Sequence, residues 1–110
     1  MPDSPEPIVV MMTASSAEEA KRIAESLVNQ KLAACVQILP GMESVYVWKG
    51  EVQCEPEVLL LAKTTRNNFA ELERQVRALH SYETPEIIAL PIITGSQPYL
   101  EWLSGSCEAS

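Results

Sequence analysis

The chain has 110 residues, enough for one small domain with a real core. Its 15 acidic residues against 8 basic ones give a net charge of -7, a surface that repels phosphate backbones and argues against nucleic-acid binding. An apolar fraction of 46% is ordinary for a globular protein, and no apolar run approaches the roughly 20 residues a membrane helix needs.

The segment 1–6 holds two prolines and two acids and is expected to be flexible. The N-terminal stretch MPDSPEPIVVMM lacks a positive n-region and a small-residue cleavage site, so the expected compartment is the cytoplasm. Pro7 to Thr13 reads as a first strand, because Ile8, Val9, Val10, Met11 and Met12 form the continuous apolar run of a strand covered on both faces. Ser15 and Ser16 then open a helix, with a capping box formed by Ser15 and Glu18 or by Ser16 and Glu19. Ala20, Ile23, Ala24, Leu27 and Val28 recur at helical spacing and define its inner face.

A long β-hairpin occupies Lys31 to Thr64, rich in Val, Ile, Tyr, Trp and Leu. Its first arm, Leu32 to Trp48, would stretch roughly 55 Å at about 3.3 Å per residue. A compact chain of this size has a radius of gyration of roughly 13 Å, so the hairpin must bend or project. A two-residue turn at Lys49-Gly50 sets Trp48 opposite Glu51 and Val47 opposite Val52. Val45, Val47, Val52 and Cys54 then share one face, and Tyr46, Trp48, Glu51 and Gln53 the other. Continued without interruption, that register misses the apolar alternation of Leu32–Ile38 by one residue. A bulge at Pro40-Gly41 repairs it, bringing Ile38 opposite Leu60 and Val36 opposite Ala62.

Asn67 or Asn68 caps a second helix whose inner line is Phe69, Leu72, Val76 and Leu79. The fourth strand is expected over Glu86–Ile93, with Pro91 marking an edge or a bulge. Ser96 and Pro98 start a short terminal helix with Tyr99, Leu100, Trp102 and Leu103 on a sticky face. The folded domain is expected over residues 7–104, with 105–110 a flexible tail. Cys35 and Cys54 are expected as reduced thiols packed among apolar groups, and Cys107 as an exposed residue of the tail. The order β-α-β-β-α-β plus a helix is that of an α+β, ferredoxin-like split βαβ sandwich. Val9, Met11, Leu59 and Leu61 put apolar groups on the sheet face that the helices leave open, which predicts association of several copies.

His80 is the sole histidine, so any scheme that needs imidazole passes through it. Near Tyr82, Glu83 and Glu86 it is a candidate ligand or proton carrier; as the residue closing a helix it is equally a cap over the last carbonyls. Met12 offers a thioether to a soft ion, although methionine inside an apolar strand ordinarily packs the core. Glu86, with Glu55 and Glu57, offers carboxylates. Tyr46 and Trp48, with Val45, Val47 and Val52, are the expected oligomer interface, since aromatic residues concentrate in interfaces. No P-loop, GxGxxG, GxSxG or HExxH motif is present, and four scattered glycines make no phosphate cradle, so the chain is not read as an enzyme.

Three blocks, KLAACVQILPGMESVYVWKGEV, EPEVLLLAKT and HSYETPEIIALPIITGSQPYLEWL, together resemble the CutA family of divalent-cation tolerance proteins, from about Ile8 to Leu103. The resemblance implies a ferredoxin-like subunit, a homotrimer similar in architecture to the PII signalling proteins, and an association with copper and other divalent metal ions that folding does not require. In copper-linked bacterial members the ligands are a cysteine ending the first strand and histidines after the second helix. The matching positions here carry Met12, Leu79 and His80. The expected metal set is therefore His80, Met12 and Glu86. Two alternatives stand beside it: a PII-like small-molecule sensor with ligands in clefts between subunits, and a scaffold with a partner on the trimer surface.

Overall fold

A computed structural model describes residues 6–108. The expected loose N-terminus falls mostly on residues 1–5, outside the described ones, as do residues 109–110 of the tail. Four strands and three helices follow in the order β1 (Pro7–Ala14), α1 (Ala17–Asn29), β2 (Cys35–Trp48), β3 (Glu51–Thr65), α2 (Phe69–Leu79), β4 (Ile87–Pro91) and α3 (Gln97–Ser106). The sheet is antiparallel with order β2-β3-β1-β4, which makes this the ferredoxin-like α+β sandwich read from the sequence.

Alternation builds the core. Ile8, Val10, Met12 and Ala14 of β1 and Val58, Leu60 and Ala62 of β3 are buried against Ala20, Ile23, Ala24 and Leu27 of α1 and Leu72 and Val76 of α2. Val28, expected on the inner face of α1, is 43% exposed, whereas its neighbour Leu27 is fully buried. β1 is not covered on both faces as its unbroken apolar run suggests. Val9 and Met11 on its other side are only half-buried, and their neighbours Leu90 and Ile88 in β4 are exposed.

The hairpin has the expected register. Val36 lies opposite Ala62, Ile38 opposite Leu60, Val47 opposite Val52 and Trp48 opposite Glu51, with the register shift between Leu39 and Met42. Gly41 sits in that bulge at φ 88°. Lys49 and Gly50, at φ 53° and 80°, are both left-handed, the requirement of a type I′ turn whose twist matches the flanking strands. Beyond the bulge the ribbon leaves the sandwich and stretches the molecule to 49 × 25 × 22 Å.

Four local expectations change. β4 stops at Pro91 instead of Ile93, because proline has no N–H to continue the ladder; Ile92 makes one last bond, donating to Pro7 O at 3.1 Å. Asn68 stands at the head of α2 but its side chain does not cap the helix. It donates instead to Lys31 O (3.3 Å) and Cys107 O (3.4 Å), tying the segment just past α1 to the end of α3. Ser96 likewise makes no side-chain cap, and Pro98 alone marks the start of α3. That helix runs to Ser106, and Cys107 is buried beside Thr64, its sulfur 3.6 Å from Thr64 Oγ1, whereas Cys54 is exposed and Cys35 half-buried. The polar spelling of the tail hides this contact because Cys107 meets a side chain more than 40 residues away.

Gly41 has open space around it, so a methyl group there meets only backbone strain. Gly41→Ala should lower unfolding free energy by about 1–2 kcal/mol, the cost of a left-handed L-residue, with unchanged native spectra; urea denaturation measures it.

Candidate functional site

The helix α1 begins on a capping box with a displaced return. Ser16 Oγ accepts from Glu19 N–H at 3.1 Å, as expected for the Ser16–Glu19 pair. The Glu19 carboxylate, however, reaches one residue further back: Oε1 accepts from Ser15 N (2.9 Å) and Ser15 Oγ (3.0 Å). Its Oε2 accepts from Ser81 N at 2.7 Å, across to the segment that follows α2. Glu19 is only 4% exposed. Burial pushes its carboxyl pKa up, but the bonds from Ser15 and Ser81 outweigh burial and hold it at about 2, below its ordinary 4.5.

His80 sits beside this carboxylate, its side chain fully enclosed and Nδ1 3.8 Å from Glu19 Oε2. Its backbone closes α2 by donating to Val76 O at 2.9 Å, as a cap should. The ring bonds elsewhere: Nε2 donates to Thr13 O at 2.7 Å, at the end of β1, and Nδ1 accepts from Tyr82 N at 3.0 Å. Both nitrogens are thus committed, and the pairing fixes the tautomer with the proton on Nε2. The Tyr82 ring lies 4.7 Å from the imidazole, and its hydroxyl donates to Glu57 Oε2 at 3.0 Å. Burial first, then the bond to Glu57 and the negative charges of Glu57 and Glu19, push the Tyr82 phenol up to about 12. Glu57 Oε1 accepts from Ser44 Oγ at 2.5 Å. Among the described residues no buried side-chain polar atom is left without a partner.

This chain of contacts ends in a cleft of about 490 Å³ at the foot of the arm. Tyr46, Trp48, Glu55 and Glu57 form one wall, Tyr82, Thr84 and Glu86 the other, and Thr13 lies between them.

The expected metal set does not come together. Met12 is 1% exposed inside the apolar core, His80 has spent both ring nitrogens, and Glu86 is exposed on the cleft wall. Among the described residues no three His, Cys, Asp or Glu side chains group as metal ligands. The residues of a single chain therefore do not fit a resident soft-metal centre. The expected interface residues divide between the two sides of the ribbon, with Val45, Val47 and Val52 opposite Tyr46 and Trp48, all exposed. Glu19 and the Ser44–Glu57–Tyr82 connection went unread as a site; the S-x-x-E spacing located Glu19 at a helix start but carried no sign of Ser81.

A ferredoxin-like sandwich with a β-ribbon arm and a cleft at the arm's foot is the class these features define. The sequence profile of the CutA1 divalent ion tolerance proteins matches residues 8–106, and the chain belongs to that family. It is 53% identical over 95 residues to the divalent-cation tolerance protein CutA of Thermus thermophilus, a match covering 86% of this chain and 92% of that protein. It is 52% identical over 99 residues to the chloroplastic protein CutA of Arabidopsis thaliana, covering 90% of this chain but only 54% of that relative, so it spans about half the plant protein. The crystal structure of CutA1 from Oryza sativa superposes with a TM-score of 0.93 at 48% identity, over 97% of this chain and 98% of that one.

Glu19 supplies a pH test. Because its folded pKa is depressed, its stabilisation is fully present above 4.5 and disappears as pH falls toward about 2. Glu19→Gln should cost about 2 kcal/mol at neutral pH, as an amide nitrogen faces the donors of Ser15 or Ser81. The same variant should show a flatter loss of stability in acid; urea midpoints measured from neutral pH to pH 2 check both.

Proposed function

We propose that the chain works as a homotrimer in the tolerance of copper and other divalent cations, in the cytoplasm, by binding rather than by catalysis. The observation that carries this reading is the apolar strip on the arm, where Val45, Val47 and Val52 are 68%, 66% and 72% exposed. A two-stranded ribbon is marginal alone, and a row of exposed valines on it calls for a neighbouring surface. The open sheet face adds Leu39, Ile88 and Leu90, each nearly half exposed. Symmetric copies bury both surfaces together. The threefold number follows the resemblance to PII-like assemblies, with the valines inside the contact and Tyr46 and Trp48 at its rim.

The cation is then cargo held across subunits. Of the expected ligands only Glu86 has an accessible donor, so oxygen ligands from a neighbour must complete the site. No helix among the described residues is long and apolar enough to cross a membrane. A second reading, a small-molecule sensor, is favoured by the cleft itself, whose volume of about 490 Å³ suits a small ligand.

Light scattering of the purified chain should give three times the mass of one chain, and Val47→Asp should shift it to monomer. A well-folded wild-type monomer at low concentration would remove the trimer. Calorimetric titration with Cu(II) should show binding that Glu86→Gln weakens by about tenfold or more, since losing even a group that only supports a ligand costs that much; equal affinity in both proteins rules Glu86 out.

A further inference from the structure

The cleft at the foot of the arm has a lining whose carboxylates, within one chain, do not converge on a metal ion. Tyr46, Trp48 and Tyr82 supply three aromatic rings, and Glu55, Glu57 and Glu86 three carboxylates, with no lysine, arginine or histidine among the described lining residues. An inorganic divalent ion requires converging oxygens, and these carboxylates do not group as a ligand set. Glu57 is moreover engaged on both oxygens, by Ser44 and by Tyr82. Its charge remains, fixed in place by those two hydroxyls.

Such a lining matches a different cation. An alkylated ammonium spreads its charge over a greasy surface, is weakly hydrated, and is held by aromatic faces within a negative field instead of by direct ligation. Tyr82 is positioned for this at both ends, by its contact with the His80 ring and its bond to Glu57. Tyr46 and Trp48, 45% and 62% exposed, leave ring surface free on the facing wall. We infer that the cleft lined by Tyr46, Trp48, Tyr82 and Glu57 is a binding site for an organic ammonium cation. This rests on the small-molecule reading of the same cleft and gives that reading its ligand chemistry.

The test follows the Trp48 indole and the Tyr82 and Thr84 amide resonances of the full chain by NMR. The probe is tetramethylammonium, with tert-butanol as its neutral isostere and magnesium as an inorganic cation, at matched ionic strength. Tetramethylammonium should give saturable shifts that neither comparator reproduces, and Trp48→Leu and Glu57→Gln should each weaken binding about tenfold. Arg66→Gln, remote from the cleft, should leave binding unchanged. Equal shifts with tert-butanol would reduce the cleft to an apolar groove, and equal shifts with magnesium would make it a simple cation site. Absence of saturation, or full affinity in both cleft variants, also overturns the inference. Light scattering on the same samples separates the readings: a monomer that binds tetramethylammonium removes the trimer and upholds the site, whereas a trimer without shifts does the opposite.

Discussion

Everything distinctive in this fold depends on the pairing of β3 with β2, and on the one extra residue that β2 carries at Pro40-Gly41. Side chains alternate across a strand, so an inserted residue inverts which parity of β2 faces which side. Below the bulge, Val36 and Ile38 lie opposite the core residues Ala62 and Leu60. Above it, the side occupied by Glu57, Leu59 and Leu61 of β3 is joined by the even residues Ser44, Tyr46 and Trp48 of β2. Without the inversion those three would share the side of Val52 and Cys54, and Ser44 would not reach Glu57. One inserted residue therefore both saves the core alternation and assembles the cleft wall. Its cost is a glycine in a left-handed conformation on an edge strand, where an interrupted ladder is tolerated.

The second constraint is the buried carboxylate of Glu19. An ionised group 4% exposed is sustained only by donors aimed at it, and here they come from both sides: Ser15 before α1 and Ser81 after α2. His80 adds the tie to the end of β1 through Thr13 O. Two separate connections and the end of β1 are thereby fastened at one end of the sandwich, the end from which the arm departs. Tyr82 carries the rigidity outward, in tilted ring contact with His80 and bonded to Glu57 of the arm. His80, read from the sequence as either a candidate ligand or a helix cap, thus closes α2 with its backbone and ties Thr13 and Tyr82 together with its ring.

What the sequence made legible was whatever depends on alternation and turn chemistry. The Lys49-Gly50 turn sets one register, the Leu32–Ile38 alternation sets another, and their one-residue disagreement locates the bulge between Leu39 and Met42. The metal set failed for the opposite reason. Met12, His80 and Glu86 are brought to the same end of the sheet by topology, but side-chain direction separates them: Met12 points into the core, His80 turns to Thr13, and Glu86 faces the cleft. Periodicity gives the side of a strand on which a residue lies and says nothing of the donor it meets. Ser81 and Asn68 illustrate this, since their partners Glu19 and Cys107 lie 62 and 39 residues away in the chain.

The two sides of the arm have different chemistry, and that difference limits what each can do. Val45, Val47 and Val52 carry no polar atom in their side chains, so water is the only partner they lose when covered, and close contact with another protein surface suits them. Tyr46, Trp48, Glu51, Gln53 and Glu55 on the other side combine rings with charges and amides. Sealing that side against an apolar surface would desolvate Glu55 and Glu86, and no basic residue lines the cleft among the described residues to compensate them. A side that is costly to seal but rich in aromatic surface is better occupied by something small, positively charged and exchangeable. The valine side of the ribbon is thus suited to contact with another protein surface, while its other side is a wall of the cleft.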